Sequence, residues 1–186
     1  MKIKFNILED QIEELTHISK EEFDEFGNVE GQFELIIGKI RFGYVDNEIP
    51  FSNELLISWF KILNKVLLEL MENSRYIAFY IPDALNWLEI MVEEDTFFVK
   101  ELELVEKSVQ FLITNKRCSN LFKESANVDV VKKEEFINCI LKSTEEFINN
   151  ILNINEQLMQ SKTMQELIEL YRKVEGFGGM GVVICE

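Results

Sequence analysis

A long run of apolar residues at helical spacing lies between Ser52 and Asn73, in SNELLISWFKILNKVLLELMEN. The large apolar side chains recur three and four residues apart, as one face of a helix requires: Leu56, Trp59, Phe60, Leu63, Val66, Leu67, Leu70 and Met71. This stretch predicts a long central helix covered on more than one side, and the charged residues within it argue against a membrane span. The side chain of Ser52 or Asn53 is expected to cap the first turn.

Before this helix, the alternation of apolar and polar residues predicts strands. Residues 2–8 alternate well enough to form the first strand. In GQFELIIGKIRFGYV the alternation slips at Gly38-Lys39, and a two-residue hairpin turn there pairs position 37 with 40, 35 with 42 and 33 with 44. A single long strand with a bulge at Gly38 is an equally supported alternative. Residues 9–31 are predicted to form an acidic connection with a helical turn near residues 12–18.

After the helix, four segments predict further strands: 76–81, 86–92, 96–104 and 108–114. The second and third form a hairpin if Glu94-Asp95 is the turn. That register sets Glu89 opposite Lys100, which is a favourable cross-strand pair, and it sets position 87 near 102 and position 90 near 99. The polar stretch 115–129 shows no clear period.

Helical spacing returns at Lys132 and is expected to continue to about Met159. A further helix is predicted to start at Thr163, because Thr163 and Glu166 match a capping box. The order of elements predicts an α+β fold, in which a mostly antiparallel sheet packs on the long central helix and two C-terminal helices follow. We expect a single domain over residues 1–186, with residues 175–186 as a glycine-rich tail. The alternative is that helices 132–174 form a semi-independent appendage.

The charge of the chain argues against two classes of partner. With 34 acidic and 19 basic residues, the net charge is −15 at pH 7, so nucleic acid and anionic membrane surfaces repel the chain. Nine acids and one lysine lie between Glu9 and Glu30, which gives this segment a net charge of −8. The segment is either a solvated, solubilising surface or a docking surface for a basic partner. The candidate contact residues are Glu13, Glu14, Glu21, Glu22, Asp24 and Glu25.

Residues typical of catalysis or metal binding are sparse. His17 is the only histidine, and the three cysteines show no C-x-x-C spacing, so neither a nucleophile–histidine pair nor a zinc site is predicted. The glycine pattern at 176–181 matches G-x-G-x-x-G, but it follows a helix and not a strand, so it predicts the end of that helix and not a nucleotide site. We therefore expect a non-enzymatic protein without cofactor or metal. Unpaired cysteines and the absence of a visible signal peptide suit a cytoplasmic location.

Several aromatic side chains could line a small-molecule pocket or belong to the core: Trp59, Trp87, Phe79, Tyr80, Phe97 and Phe98. Their helix and strand spacings favour the core. The pocket remains as the alternative.

The order of segments also resembles a known group of proteins. FGYVDNE leads into LLISWFKILNKVLLEL, and YIAFYIPDALNWLEIMVEEDTFFVKEL, SVQFLI and EEFINCILKSTEEFINNILNINEQL follow. Over about residues 30–160 this pattern is similar to small bacterial immunity proteins of polymorphic, contact-dependent toxin systems. The resemblance implies a protein that neutralises a cognate toxin by stoichiometric binding to a basic toxin domain. It assigns no contact residues, because these families share no fixed site motif. The alternative is a small-molecule-binding or structural module with an apolar pocket between helix and sheet.

Overall fold

A computed structural model of the chain describes residues 1–72, 74–82, 86–105, 112–117 and 122–179. These residues form two antiparallel sheets, five α-helices and one 3-10 helix. The elements, in chain order, are β1 (Lys2–Ile7), α1 (Glu9–His17), α2 (Lys20–Phe26), β2 (Glu30–Ile37), β3 (Ile40–Tyr44), β4 (Glu54–Leu55), α3 (Leu56–Met71), β5 (Tyr76–Tyr80), β6 (Asn86–Glu93), β7 (Thr96–Leu104), β8 (Ile113–Thr114), β9 (Phe122–Lys132), α4 (Lys133–Ile154), the 3-10 helix (Glu156–Gln160) and α5 (Lys162–Gly179). The α+β class is confirmed, although there are two sheets where one was predicted.

The first sheet is organised around β2. Strands β1 and β3 pair with β2 on either side, and β4 pairs with its first two residues. The β2–β3 hairpin has the predicted register, with 37 opposite 40, 35 opposite 42 and 33 opposite 44. Gly38 has a φ of 58°, as the first central residue of a type II′ turn requires. The hairpin, and not the single bulged strand, is therefore present.

The second sheet has the strand order β8-β5-β6-β7-β9. The β6–β7 hairpin confirms the predicted register, because Glu89 lies opposite Lys100, 87 opposite 102 and 90 opposite 99. Of the predicted strand 108–114, β8 is the described end, while residues 106–111 lie outside the described part of the chain.

Strand β9 occupies much of the stretch that showed no clear period. Its inward-facing Asp129 breaks the apolar alternation, since the carboxylate accepts hydrogen bonds from the backbone N–H of Lys39 at 2.9 Å and of Ile40 at 3.0 Å. This carboxylate joins β9 to the tip of the β2–β3 hairpin. A Cβ at Gly38 would lie only 2.3 Å from Asp129 Oδ1, so the contact also requires glycine. The sequence did not predict this strand, because the hydrogen-bond partners of Asp129 lie in the β2–β3 turn, far away in the chain.

Helix α3 contacts strands β2 and β5 and helices α4 and α5. Trp59 stacks on Phe33 with ring centroids 4.2 Å apart, and Phe60 stacks on Phe147 at 4.8 Å. Trp87 belongs to a smaller buried cluster with three other residues, Ala78, Leu102 and Phe122. Burial confirms the core prediction for four of the six aromatics, Trp59, Trp87, Phe79 and Phe97, whereas Tyr80 and Phe98 are half-buried.

The predicted cap of α3 is wrong. The helix begins after Ser52 and Asn53, because the two residues before it pair with β2 as β4. Asn28 caps the helix from another part of the chain: its Oδ1 accepts the N–H of Ile57 at 3.0 Å, and its Nδ2 donates to Ser58 Oγ at 2.7 Å. The orphan donor of the first turn is thus satisfied by a side chain that lies far away in sequence.

The C-terminal helices differ from the prediction at their ends. Helix α4 stops at Ile154 and a 3-10 helix follows, where one continuous helix to about Met159 was expected. Helix α5 continues through Gly176 to Gly179 and does not stop at the first glycine, while residues 180–186 lie outside the described part. In the described chain, no helix combines the length and the apolar character that crossing a membrane demands.

Candidate functional site

The acidic segment near the N-terminus forms two helices where a single helical turn was predicted. Ser19 and Glu22 form a capping box at the start of α2, in which Glu22 Oε2 accepts the N–H of Ser19 at 3.1 Å and Ser19 Oγ accepts the N–H of Glu22 at 3.3 Å. Gly27, with a φ of 68°, ends this helix. Leu15 on α1 and Phe23 on α2 are buried and anchor both helices to the core. The Ser-x-x-Glu signal is visible in the sequence and was missed.

A groove of about 670 Å³ lies between α1 and α2. It is lined by five carboxylates and the lone histidine: Asp10, Glu13, Glu14, Glu22, Glu25 and His17. Four of the six predicted contact residues therefore share one surface, while Glu21 is exposed on α2 outside the lining. We call this surface the acidic groove. Hydrogen bonds from the side chain and backbone of Ser19 hold the pKa of Glu22 below its ordinary value, which favours the charged form.

Phe26 lies at the rim of the acidic groove at the end of α2, with 71% of its surface exposed. An aromatic ring this exposed is a suitable apolar contact for a partner, since Phe is enriched at protein interfaces. The combination of carboxylates and one exposed ring can accept cationic side chains and cover an apolar one.

Asp24, the sixth predicted contact residue, is directed towards α5. Its carboxylate accepts the N–H of Lys162 at 2.9 Å and that of Thr163 at 2.8 Å, while Ser161 Oγ accepts the N–H of Met164 at 3.1 Å. Helix α5 consequently starts one residue before Thr163, and the predicted Thr163–Glu166 capping box does not form. Burial raises the pKa of Asp24, but the hydrogen bonds from Thr163 and Lys162 outweigh it and leave the pKa below the ordinary value.

Replacement of Asp24 by alanine is expected to destabilise the protein by about 1–2 kcal/mol, the range for loss of a helix N-cap. The folded-state pKa is lowered, so this stabilisation is present above the unfolded-state value of about 3.9 and is lost as the pH falls through the folded-state value. Urea unfolding at pH 7 and near pH 3 measures both effects. Glu25→Ala on the same helix is the control, and a shared midpoint for the two variants at pH 7 would contradict the capping role.

Two further carboxylates are buried in the sheets: Glu34, which the sequence did not single out, and Glu89, whose place opposite Lys100 was predicted. Glu34 on β2 is fully buried and pairs with Lys4, whose Nζ lies 2.5 Å from Oε2, and with Arg41. The hydrogen bond from Lys4 holds the pKa of Glu34 below its ordinary value. Glu89 on β6 is 1% exposed and lies 3.5 Å from Arg117 Nε. Because basic side chains neutralise both acids, we assign them a structural role.

Within the described ranges, no three His, Cys, Asp or Glu side chains are grouped so that they could hold a metal ion. His17 is exposed on α1, and Cys139 is a half-buried free thiol. Burial is the largest cause that raises the pKa of the Cys139 thiol, which keeps it in its unreactive protonated form.

A second groove, of about 610 Å³, runs beside α3 where strands β5 and β8 approach it. Its lining is mainly apolar, and among the described residues that line it only Lys61 and Lys65 are charged. Of the six aromatics considered as a pocket, Tyr80 alone lines this groove. We call it the apolar groove.

No protein-family model matches the chain, and neither the curated proteins nor the solved structures contain a significant match. The functional argument therefore rests on the side chains of this structure alone. Within the described residues, the acidic groove combines five carboxylates with the exposed Phe26.

Proposed function

We propose that this protein neutralises a cognate toxin by forming a stoichiometric, non-enzymatic complex in which the acidic groove contacts a basic domain of the toxin. The clustering of five carboxylates between α1 and α2, beside an exposed phenylalanine, is the observation that carries the proposal. Many toxins are nucleases, and a nuclease needs a basic cleft to bind its substrate. An acidic surface that fills this cleft blocks the substrate by charge and by shape.

Electrostatics supports a basic protein as the partner. A net charge of −15, with −8 in the segment that forms the groove, attracts a cationic surface over distance and raises the association rate. Helix α2, which forms one side of the groove, is capped at its start by Ser19 and Glu22 and ends at Gly27, so little order has to be gained there on binding. In this proposal α3 is the central helix on which the sheets pack. Its first turn fixes the segment that follows α2, because the N–H of Leu56 donates to the carbonyl of Val29 and that of Ile57 donates to Asn28 Oδ1.

The test is co-expression in bacteria with the reading frame immediately upstream of the gene. The upstream product alone is expected to stop growth, and co-expression is expected to restore it. The two purified proteins should form a 1:1 complex, whose association slows with salt as the Debye length falls below about 10 Å. An upstream product that is harmless, or whose toxicity persists on co-expression, would contradict the proposal.

A further inference from the structure

We infer that the apolar groove beside α3 binds a single-chain amphiphile with an anionic head group. This site is separate from the acidic groove and does not depend on toxin binding. Its volume of about 610 Å³ lies within the range of about 300–1,000 Å³ that is typical of ligand pockets.

The walls of the groove suit a hydrocarbon chain. Ile62 on α3 and Ile113 on β8 face the same cavity, together with Tyr80, Pro82 and Leu112. Leu112 has 63% of its surface exposed, although removing a leucine side chain from water is favourable in free energy. An apolar chain laid along these residues would cover apolar surface that is otherwise in contact with solvent.

The charged part of the groove suits an anion. Lys61 and Lys65 lie one turn apart on the same face of α3, where like charges repel each other. Glu166 Oε2 on α5 pairs with Lys61 Nζ at 2.9 Å. The hydrogen bond and the charge of Lys61 lower the pKa of Glu166, and the charge of Lys65 adds to them, although no described carboxylate lies close enough to Lys65 to form an ion pair with it. None of the described residues that line the groove is acidic, in a chain with 34 acids and 19 bases. The groove is thus locally positive on a protein whose net charge is −15, and this positive charge favours an anionic head group.

Ser58 adds a polar group on the same helix face as the two lysines. Its Oγ accepts a hydrogen bond from Asn28 Nδ2 at 2.7 Å, so its own hydroxyl proton can be donated to a ligand. Ser58 lies one turn before Lys61 and two turns before Lys65, so a carboxylate beside Lys61 could also accept from the Ser58 hydroxyl, while Lys65 supplies a second positive charge further along α3.

Isothermal titration calorimetry with dodecanoate, below its micellar concentration, tests the inference on the full chain. Saturable 1:1 binding is expected, with no binding of dodecyltrimethylammonium, which has the same chain and the opposite charge. Lys65→Glu is expected to weaken dodecanoate binding at least tenfold. The matched control is Lys173→Glu, an exposed lysine on α5, which should leave the affinity unchanged. Leu112→Asp, which alters an exposed side chain, should also weaken binding.

Four results would overturn the inference. They are absence of saturable dodecanoate binding, equal binding of the cationic amphiphile, an affinity that Lys65→Glu leaves unchanged, and a preference for phosphatidylglycerol vesicles over monomeric dodecanoate. Circular dichroism spectra of each variant establish that it is folded. Toxin neutralisation is read out separately, so failure here does not alter the outcome of that test.

Discussion

Trp59→Ala is expected to lower the free energy of unfolding by about 3–5 kcal/mol, the range for removal of a large aromatic side chain from a core. Trp59 is 1% exposed and stacks on Phe33, and its indole N–H donates to Glu54 Oε2 at 2.6 Å. Alanine leaves a cavity between α3 and the first sheet and removes this donor. Trp87→Ala is expected to fall in the same range, because Trp87 is also 1% exposed.

Denaturant unfolding at neutral pH measures both effects. Phe26→Ala is the matched control, since this aromatic ring is 71% exposed and its loss should change stability by no more than about 0.5 kcal/mol. Midpoints like that of the unaltered protein for both tryptophan variants would show that these side chains are not part of the core.

Reversal of charge at Glu13, Glu14, Glu21 and Glu25 to lysine is expected to weaken the toxin complex by several kcal/mol, because like charges then face each other across the interface. These four acids are exposed, and replacing them leaves the caps formed by Glu22 and Asp24 intact. Folding stability should change little, since exposed charges contribute little to it.

The control carries the same change of charge on other surfaces, at Glu93, Glu134, Glu146 and Glu169, which are also exposed. Affinities measured by calorimetry separate the two variants: the groove variant should lose affinity far more than the control. Equal affinities would place the contact outside α1 and α2 while leaving toxin neutralisation itself open to the co-expression test.

Local sequence patterns were sufficient to predict the features that depend on neighbouring residues. The slip in alternation at Gly38-Lys39 predicted the register of the β2–β3 hairpin, with a single bulged strand as an equal alternative, and the turn at Glu94-Asp95 predicted the register of the β6–β7 hairpin. The apolar period of α3 likewise predicted the apolar residues of its buried face as far as Leu67. In each case the residues that decide the structure lie within a few positions of one another, so a local pattern contains the information.

Only the tertiary structure decided where two helices begin and which acids act together. Asn28 caps α3 and Asp24 caps α5, because an orphan N–H accepts any oxygen of suitable geometry, however far away it lies in sequence. The same reason hid β9, whose Asp129 is satisfied by the tip of a hairpin in the other sheet. Nine acids between positions 9 and 30 look alike in the sequence. Folding into two helices places five of them around one groove, directs Asp24 to the start of α5 and leaves Glu21 exposed outside the groove.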